Sequence, residues 1–318
     1  MQQEASAANP LFAARRLGHV NLFVGDIDAS VAFYRDVVGL GVAWRRSNMR
    51  TGFHSNGNSH HDIGLIDFHG PLGETSAPGL NHLAFELETQ LDLVDGYRRA
   101  LSMGFGFTAM YDHEISHSLY YKDSEGALIE IYADTDIDWQ ERLVNPIKPS
   151  LDKWVPGTTP PSTQRHYTQN PRFARQEDAI FHATHVTHAV LVVGDLAGAS
   201  EQYQRILGLR PIFADAAQGV VSLGGSCGAR DVTFIEAGTN LPLGLHHFGF
   251  AAWSEEDLKA SVIRAKAAGI PIDAEMDDET RYSVILRDPD GFKVQLHADR
   301  KPLVRTASRP RDALLHLV

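Results

Sequence analysis

One feature constrains this chain more than any other: most of it is written twice. The segment Gly18–Gly41 reads GHVNLFVGDIDASVAFYRDVVGLG, and Thr187–Arg210 reads THAVLVVGDLAGASEQYQRILGLR. His19 matches His188, Asp26 matches Asp195, Tyr34 matches Tyr203 and Gly39 matches Gly208. HDIGLIDF from His61 then matches RDVTFIEA from Arg230, and GLNHLAFEL from Gly79 matches GLHHFGFAA from Gly244. Last, Tyr120–Asp134 matches Ile285–Asp299. The offset is 169 residues for the first two blocks and 165 for the last two, so one four-residue difference between Phe68 and Gly79 accounts for all of it. A repeat of this length is a duplicated domain rather than a short solenoid unit.

Within each copy the pattern alternates strands and helices. Leu17–Val24, His61–Phe68, Leu80–Leu87, Phe107–His113, Ser118–Lys122 and Leu128–Tyr132 read as strands from their alternating apolar and β-branched residues. Asp28 is a plausible N-cap for a helix through Val38, and Leu91–Met103 has helical spacing. Asp26 and Asp195 read as turn or capping residues. DSEG at Asp123–Gly126 and DPDG at Asp288–Gly291 are turns between the last two strands. Each copy is thus expected to be a pair of βαβββ modules, giving an α+β chain. The expected organisation is a domain over residues 1–138, a proline-rich segment over 139–181, a second domain over 182–300 and a tail over 301–318. The sequence between the copies carries six prolines together with Trp139, Trp154, Tyr167 and Phe173, which predicts that it packs across a domain or subunit surface.

Composition excludes several classes. The 318 residues carry 29 basic and 40 acidic side chains, a net charge of -11, which argues against a nucleic-acid binder working through bulk positive charge. No apolar run reaches the ~18 residues of a membrane span, and the first residues lack the order of a secretory signal. The single cysteine, Cys227, permits no intrachain disulfide. A cytoplasmic protein is expected, with a buried or inert thiol. The abundant chemical residue is histidine, with 16 copies.

Matching positions in the repeat pick out a metal constellation. His19, His82 and Glu130 fall on three strands of the first copy. Two imidazoles and one carboxylate can occupy one face of an ion and leave three positions open, as in non-haem Fe(II) oxygenases. The second copy has His188, His247 and Gln295 at these places, and an amide cannot supply the anionic ligand. The first copy is therefore the expected metal-bearing one.

Gly18–Tyr34, the H-D-I-G-L block, L-N-H-L-A-F and I-E-I-Y resemble the vicinal oxygen chelate superfamily and, within it, the type I extradiol ring-cleaving dioxygenases. The resemblance implies tandem domains whose paired βαβββ modules form a cupped, barrel-like sheet. It implies Fe(II), with Mn(II) as the alternative, and a catecholic substrate reacting with O2. His61 matches the family's acid–base histidine, and Tyr120, ten residues before Glu130, its active-site tyrosine. His113 resembles the substrate-contacting histidine, with His117 as the alternative. Neighbouring His60 would point to the opposite face of a regular strand. Arg230, at the second copy's equivalent of His61, cannot serve as a base at neutral pH. The family's best-known two-domain members keep their metal in the C-terminal copy, whereas the ligand pattern here is intact only in the N-terminal one.

Two other readings remain at this level. A glyoxalase-type lyase or isomerase would need a further carboxylate as base, for which Asp67 is the candidate. A binding protein that kept the fold without chemistry is the third. A homo-oligomer is expected from the exposed sheet edges and the long connecting segment. The C-terminal tail is locally basic and reads as a surface arm or oligomer contact.

Overall fold

The structure, a computed structural model, describes residues 9–136, 152–238 and 241–301. The tail beyond Lys301, Trp139 and the expected boundary at 138 lie outside them. Among the described residues, seventeen strands, four α-helices and one π-helical turn follow one another in two similar runs. The first run is β1 (Arg16–Val24), α1 (Ile27–Ala32), β2 (Val42–Arg46), β3 (Thr51–His54), β4 (Ile63–Asp67), β5 (Gly79–Glu86), α2 (Gln90–Ser102), β6 (Ala109–Asp112), β7 (Ser116–Lys122), β8 (Leu128–Asp134) and β9 (Asp152–Lys153). The second is β10 (Ala183–Val193), α3 (Leu196–Leu207), β11 (Arg210–Asp215), β12 (Val220–Gly224), β13 (Val232–Glu236), β14 (Gly244–Ala252), α4 (Glu255–Ala267), β15 (Ala274–Asp277), β16 (Arg281–Arg287) and β17 (Lys293–Asp299). Two βαβββ modules per half are as expected.

The sheet orders are β2-β3-β4-β1-β5-β8-β7-β6-β9 and β11-β12-β13-β10-β14-β17-β16-β15. In each half the first strands of the two modules pair antiparallel at the centre, β1 with β5 and β10 with β14. Alternation along the strands then sorts two faces. Val20, Leu22, Leu83, Phe85, Ile129 and Ile131 point to the helix-covered core and are buried. His19, Asn21, His82 and Glu130 take the other face.

Local details differ from the sequence expectation. Asp26, not Asp28, caps α1, its carboxylate accepting from the N–H groups of Asp28 and Ala29. The helix then widens into a π-helical turn over Phe33–Val38 and ends at Gly39, whose φ of 83° suits glycine. Asp195 caps α3 in the same way. Strands β2, β3, β11 and β12 were not anticipated.

The halves join through contacts that occur in two symmetry-related versions. Tyr34 donates to Asp288 at 3.0 Å, and its repeat mate Tyr203 donates to Asp123 at 2.8 Å. Gly25 N–H donates to Asp290, and Gly194 N–H donates to Glu125. Val186 N–H donates to Asp62, and Leu17 N–H donates to Asp231. Phe12 N–H donates to Ile206 C=O, and Phe181 N–H to Val37 C=O. The repeated tyrosines and turn aspartates are thus interface residues.

The described part of the connecting segment packs as expected. Trp154 is buried and stacks on His117 with ring centroids 4.2 Å apart. Tyr167 donates to Glu88 and lies under the Arg15 guanidinium. Phe173 stacks on His185.

Candidate metal centre and its cavity

Sheet register places the expected residues together. Asn21 stands opposite His82, and His19 opposite Ala84, across β1 and β5. Ala84 pairs with Glu130 across β5 and β8, and Glu130 with Tyr120 across β8 and β7. Opposed residues share a face, so His19, His82, Glu130 and Tyr120 project from one side of the sheet into the same cavity. Gly18 permits this packing: a Cβ there would lie 2.0 Å from the hydroxyl of Tyr132, which fills the space behind His19.

His19 Nε2 is 3.1 Å from Glu130 Oε2, His82 Nε2 is 2.9 Å from the same oxygen, and the two nitrogens are 3.3 Å apart. All three residues are buried. Donor atoms at neighbouring corners of an octahedron, ~2.1 Å from its centre, stand about 3 Å from one another. The trio therefore fits a divalent ion in both spacing and chemistry. Burial opposes ionisation of Glu130, but the hydrogen bonds from His19 and His82, joined in acid by their charge, outweigh it and hold the carboxyl well below its usual range. Burial lowers His19 to about 4, despite Glu130, so its imidazole is neutral at pH 7 and has a lone pair to offer. His82 is oriented by Asn21's neighbour on the facing strand, Asn81, whose Oδ1 lies 2.5 Å from Nδ1.

His61 lies beside the trio, its ring centroid 3.9 Å from that of His19. Burial, then the charges of His19 and His60, push it well below its ordinary value. Tyr120 is pushed well above its ordinary value by burial and then by the Glu130 carboxylate, so it remains a donor. His113 Nε2 is 3.1 Å from Tyr120 Oη. His117 instead stacks on Trp154 and sits 3.5 Å from Asp112, away from the cavity lining. Of the two alternatives, His113 is the one placed at the cavity.

Three expectations need correction. His61 is not in a strand: β4 begins at Ile63, and the loop before it is held by Ser55 donating to Ser59 C=O, Ser59 donating to His61 C=O, and Asn58 bonded to Asp62. Strand alternation therefore does not apply, and His60 turns inward. It is buried, its Nδ1 2.7 Å from His61 Nδ1, and it forms a second possible ligand group with His19 and His61. Asp67 is at the far end of β4, paired with Arg50 and His69, and does not line the cavity. Of the two alternatives for Cys227, buried or inert, the first fails, because the residue is exposed.

The cavity around these groups has a volume of about 590 Å³, within the range of small-molecule sites. Its apolar wall was missed in the sequence. Trp44 and Phe53 stack with centroids 4.3 Å apart and both meet His61 edge-on. The signal was the alternation of Val42 and Trp44, then Thr51 and Phe53, either side of a turn. Arg46, Glu74 and Lys122 add charged groups to the lining.

The corresponding place in the second half differs. His188, His247 and Gln295 are all buried, and Gln295 Oε1 accepts from Arg281 Nη1 at 2.8 Å. Among the described residues, the two groups able to hold a metal both lie in the first half.

Known proteins share this architecture. The chain is 27% identical over 287 residues to the Bacillus subtilis (strain 168) catechol-2,3-dioxygenase, spanning 86% of this chain and 93% of that protein. It is 30% identical over 122 residues to biphenyl-2,3-diol 1,2-dioxygenase 3 of Rhodococcus globerulus, covering 37% of this chain and 63% of the relative. The 2,3-dioxygenase LapB from Pseudomonas sp. KL28 superposes with a TM-score of 0.66 at 17% identity, covering 95% of this chain and 99% of that one. A family model matches residues 16–131 and 185–296, one stretch in each half. The chain belongs to the Glyoxalase/Bleomycin resistance protein/Dioxygenase superfamily.

Proposed function

We propose that the chain is an extradiol ring-cleaving dioxygenase that joins a catechol-type aromatic to O2 at an Fe(II) site in its N-terminal half. One observation carries the reading: His19, His82 and Glu130 converge in the same cavity as His61 and Tyr120. Similarity to the catechol and biphenyl-diol dioxygenases supports it. His19, His82 and Glu130 would hold the metal, which when bound lowers the pKa of catechol hydroxyls and brings both reactants together.

The remaining steps belong to this chain's side chains. Trp44 and Phe53 flank an aromatic ring and exclude water from it. Tyr120 Oη donates a hydrogen bond to a substrate oxygen, with His113 as its partner. His61 Nε2 has no hydrogen-bond partner among the described residues. The facing Nδ1 atoms of His60 and His61 share one proton. Asp134 Oδ1 lies 3.4 Å from His60 Nε2, without hydrogen-bond geometry, and as a carboxylate its charge favours a proton on that nitrogen. His60 then accepts at Nδ1, His61 donates from Nδ1, and His61 Nε2 keeps its lone pair. That nitrogen takes a proton from a catechol hydroxyl and returns it to the oxygen that needs it during ring opening.

The test is oxygen uptake by anaerobically iron-loaded protein given a panel of catechols, with absorbance read for a yellow ring-opened product. Iron-dependent uptake that is lost in Glu130→Ala is expected. No uptake with any catechol, despite stoichiometric iron, overturns the proposal.

A further inference from the structure

The two halves treat one place in the fold differently. In the second half Val190, Phe213, Val220 and Ile235 close into a small buried apolar cluster, and Leu241 from the β13–β14 loop packs on it. Their repeat mates in the first half are Asn21, Trp44, Thr51, Ile66 and Leu72, and all five line the metal-site cavity instead. The four extra residues of the first half fall in the same place, in the loop that carries Leu72. That loop is fixed. Asp67 C=O accepts from Gly70 N–H at 2.9 Å, and Gly70 C=O accepts from Gly73 N–H at 3.0 Å. Gly73 packs so closely on Phe68 that a Cβ there would lie 1.9 Å from the Phe68 carbonyl oxygen. Leu72 is thus part of a standing wall.

Sheet register gives this part of the cavity its reach. Gly64 and Phe53 stand level with Asn21, and Ile66 and Thr51 stand one step of two residues further along the strands. Each step is about 6.6 Å, so Thr51 and Ile66 lie about 13 Å along the strands from the level of His19. A catechol ring held at the metal and flanked by Trp44 and Phe53 takes up the first step and leaves the second for a substituent.

The chemistry of the wall differs between the halves as well. The side chains of Val190, Phe213 and Val220 make no hydrogen bonds, whereas those of Asn21, Trp44 and Thr51 can. Asn21 Oδ1, Trp44 Nε1 and Thr51 Oγ1 have no partner among the described residues. Thr51 is 1% exposed. A buried hydroxyl without a partner is destabilising, and the valine at its repeat position has the same shape without that cost. Charge does not select the substituent. Arg46, paired with Thr51 across β2 and β3, is under the charge of Glu114, and the exposed lining residues Glu74 and Lys122 have opposite signs.

Resting on the dioxygenase reading above, we infer that this outer part of the cavity is a subsite for the substrate's substituent. It takes a catechol carrying a short uncharged chain, whose oxygen accepts a hydrogen bond from Thr51 Oγ1 and whose carbons pack on Ile66 and Leu72.

Calorimetric titration of the anaerobic, iron-loaded protein reads binding without turnover. The probes are catechol, 4-propylcatechol and 4-(methoxymethyl)catechol, the last two matched in length and uncharged. Thr51→Val, which keeps the shape of the buried side chain, shifts the ratio of the two long compounds' affinities about fivefold toward propylcatechol. Leu72→Trp, at a half-buried loop position, weakens both long compounds about tenfold relative to catechol. An unchanged ratio in Thr51→Val, or equal weakening of all three compounds in Leu72→Trp, overturns the inference, while oxygen uptake with catechol leaves the ring-cleaving reading standing. Both expected shifts without oxygen uptake uphold the subsite and overturn ring cleavage. No binding of catechol itself overturns the two together.

Discussion

Replacing Glu86 by glutamine tests how the first strand is anchored. Glu86 is fully buried at the end of β5, and the guanidinium groups of Arg15 and Arg16 close on the same oxygen, Arg16 Nε at 2.9 Å. Burial opposes its ionisation, yet Arg16 and Arg15 together outweigh burial and hold its pKa below the ordinary value. Glutamine keeps the shape and removes the charge, leaving two guanidinium groups facing each other. Removing one partner of a buried pair costs ~3–5 kcal/mol. Arg15 keeps Glu88 as a partner, so the lower end, about 3 kcal/mol, applies. With a urea slope of about 3 kcal/mol/M, the unfolding midpoint falls by about 1 M. Glu88→Gln is the control: its side chain is 31% exposed, and such pairs contribute about 1 kcal/mol or less. A depressed carboxylate pKa means the contribution is present above about 4.5 and lost as pH falls through the folded value, so the wild-type advantage shrinks only in acid. Equal midpoints for Glu86→Gln and Glu88→Gln, or a shift below about 0.3 M, would refute the reasoning.

Four further outcomes follow from the geometry. Iron at 1,000 times its dissociation constant adds about 4 kcal/mol to stability; calorimetry with and without chelator should show this rise in Tm, and Glu130→Ala should abolish it. His61→Phe lowers kcat by about 10²–10⁴ while bound iron, measured by metal analysis, stays stoichiometric. His60→Phe removes the proton bias on His61 and lowers kcat about tenfold, with KM read separately to expose any loss of binding. Asp288, whose pKa burial raises from 3.8 to about 6, opposes folding when ionised. Its cost appears as pH rises from about 4 to 6, amounts to roughly 2–3 kcal/mol, and is absent in Asp288→Asn, as urea midpoints across that range will register.

The repeat, the module pattern and the trio His19, His82 and Glu130 could be read from the sequence because each leaves a local mark, whereas His61, Tyr120 and His113 were reached only through the resemblance to the extradiol dioxygenases. A histidine or glutamate in an apolar strand is conspicuous, and the second copy supplies a register for it. His60 was misjudged because its orientation comes from a loop held by Ser55, Ser59 and Asp62, and hydrogen bonds across a loop have no periodicity. Trp44 and Phe53 were missed because β2 and β3 are short, β2 is partly exposed and β3 is buried on both faces, so their alternation is weak. Arg281 was invisible for a different reason. Its repeat mate is Ser116, a residue with no chemistry to mark the position, and its role arises only when β16 pairs with β17 and brings it to Gln295.

The doubled contacts between the halves carry a historical consequence. Tyr34 with Asp288 and Tyr203 with Asp123 meet as the same surface of two identical chains would meet across a two-fold axis. Fusion turned a concentration-dependent encounter into a tethered one, with an effective concentration on the order of millimolar. Once tethered, the second copy had only to keep its docking surface. It has the tyrosine and the turn aspartates, but Gln295 and Arg230 at the positions of Glu130 and His61. The second half, with Gln295 and Arg230 at the places of Glu130 and His61, thus serves as the frame on which the first is mounted.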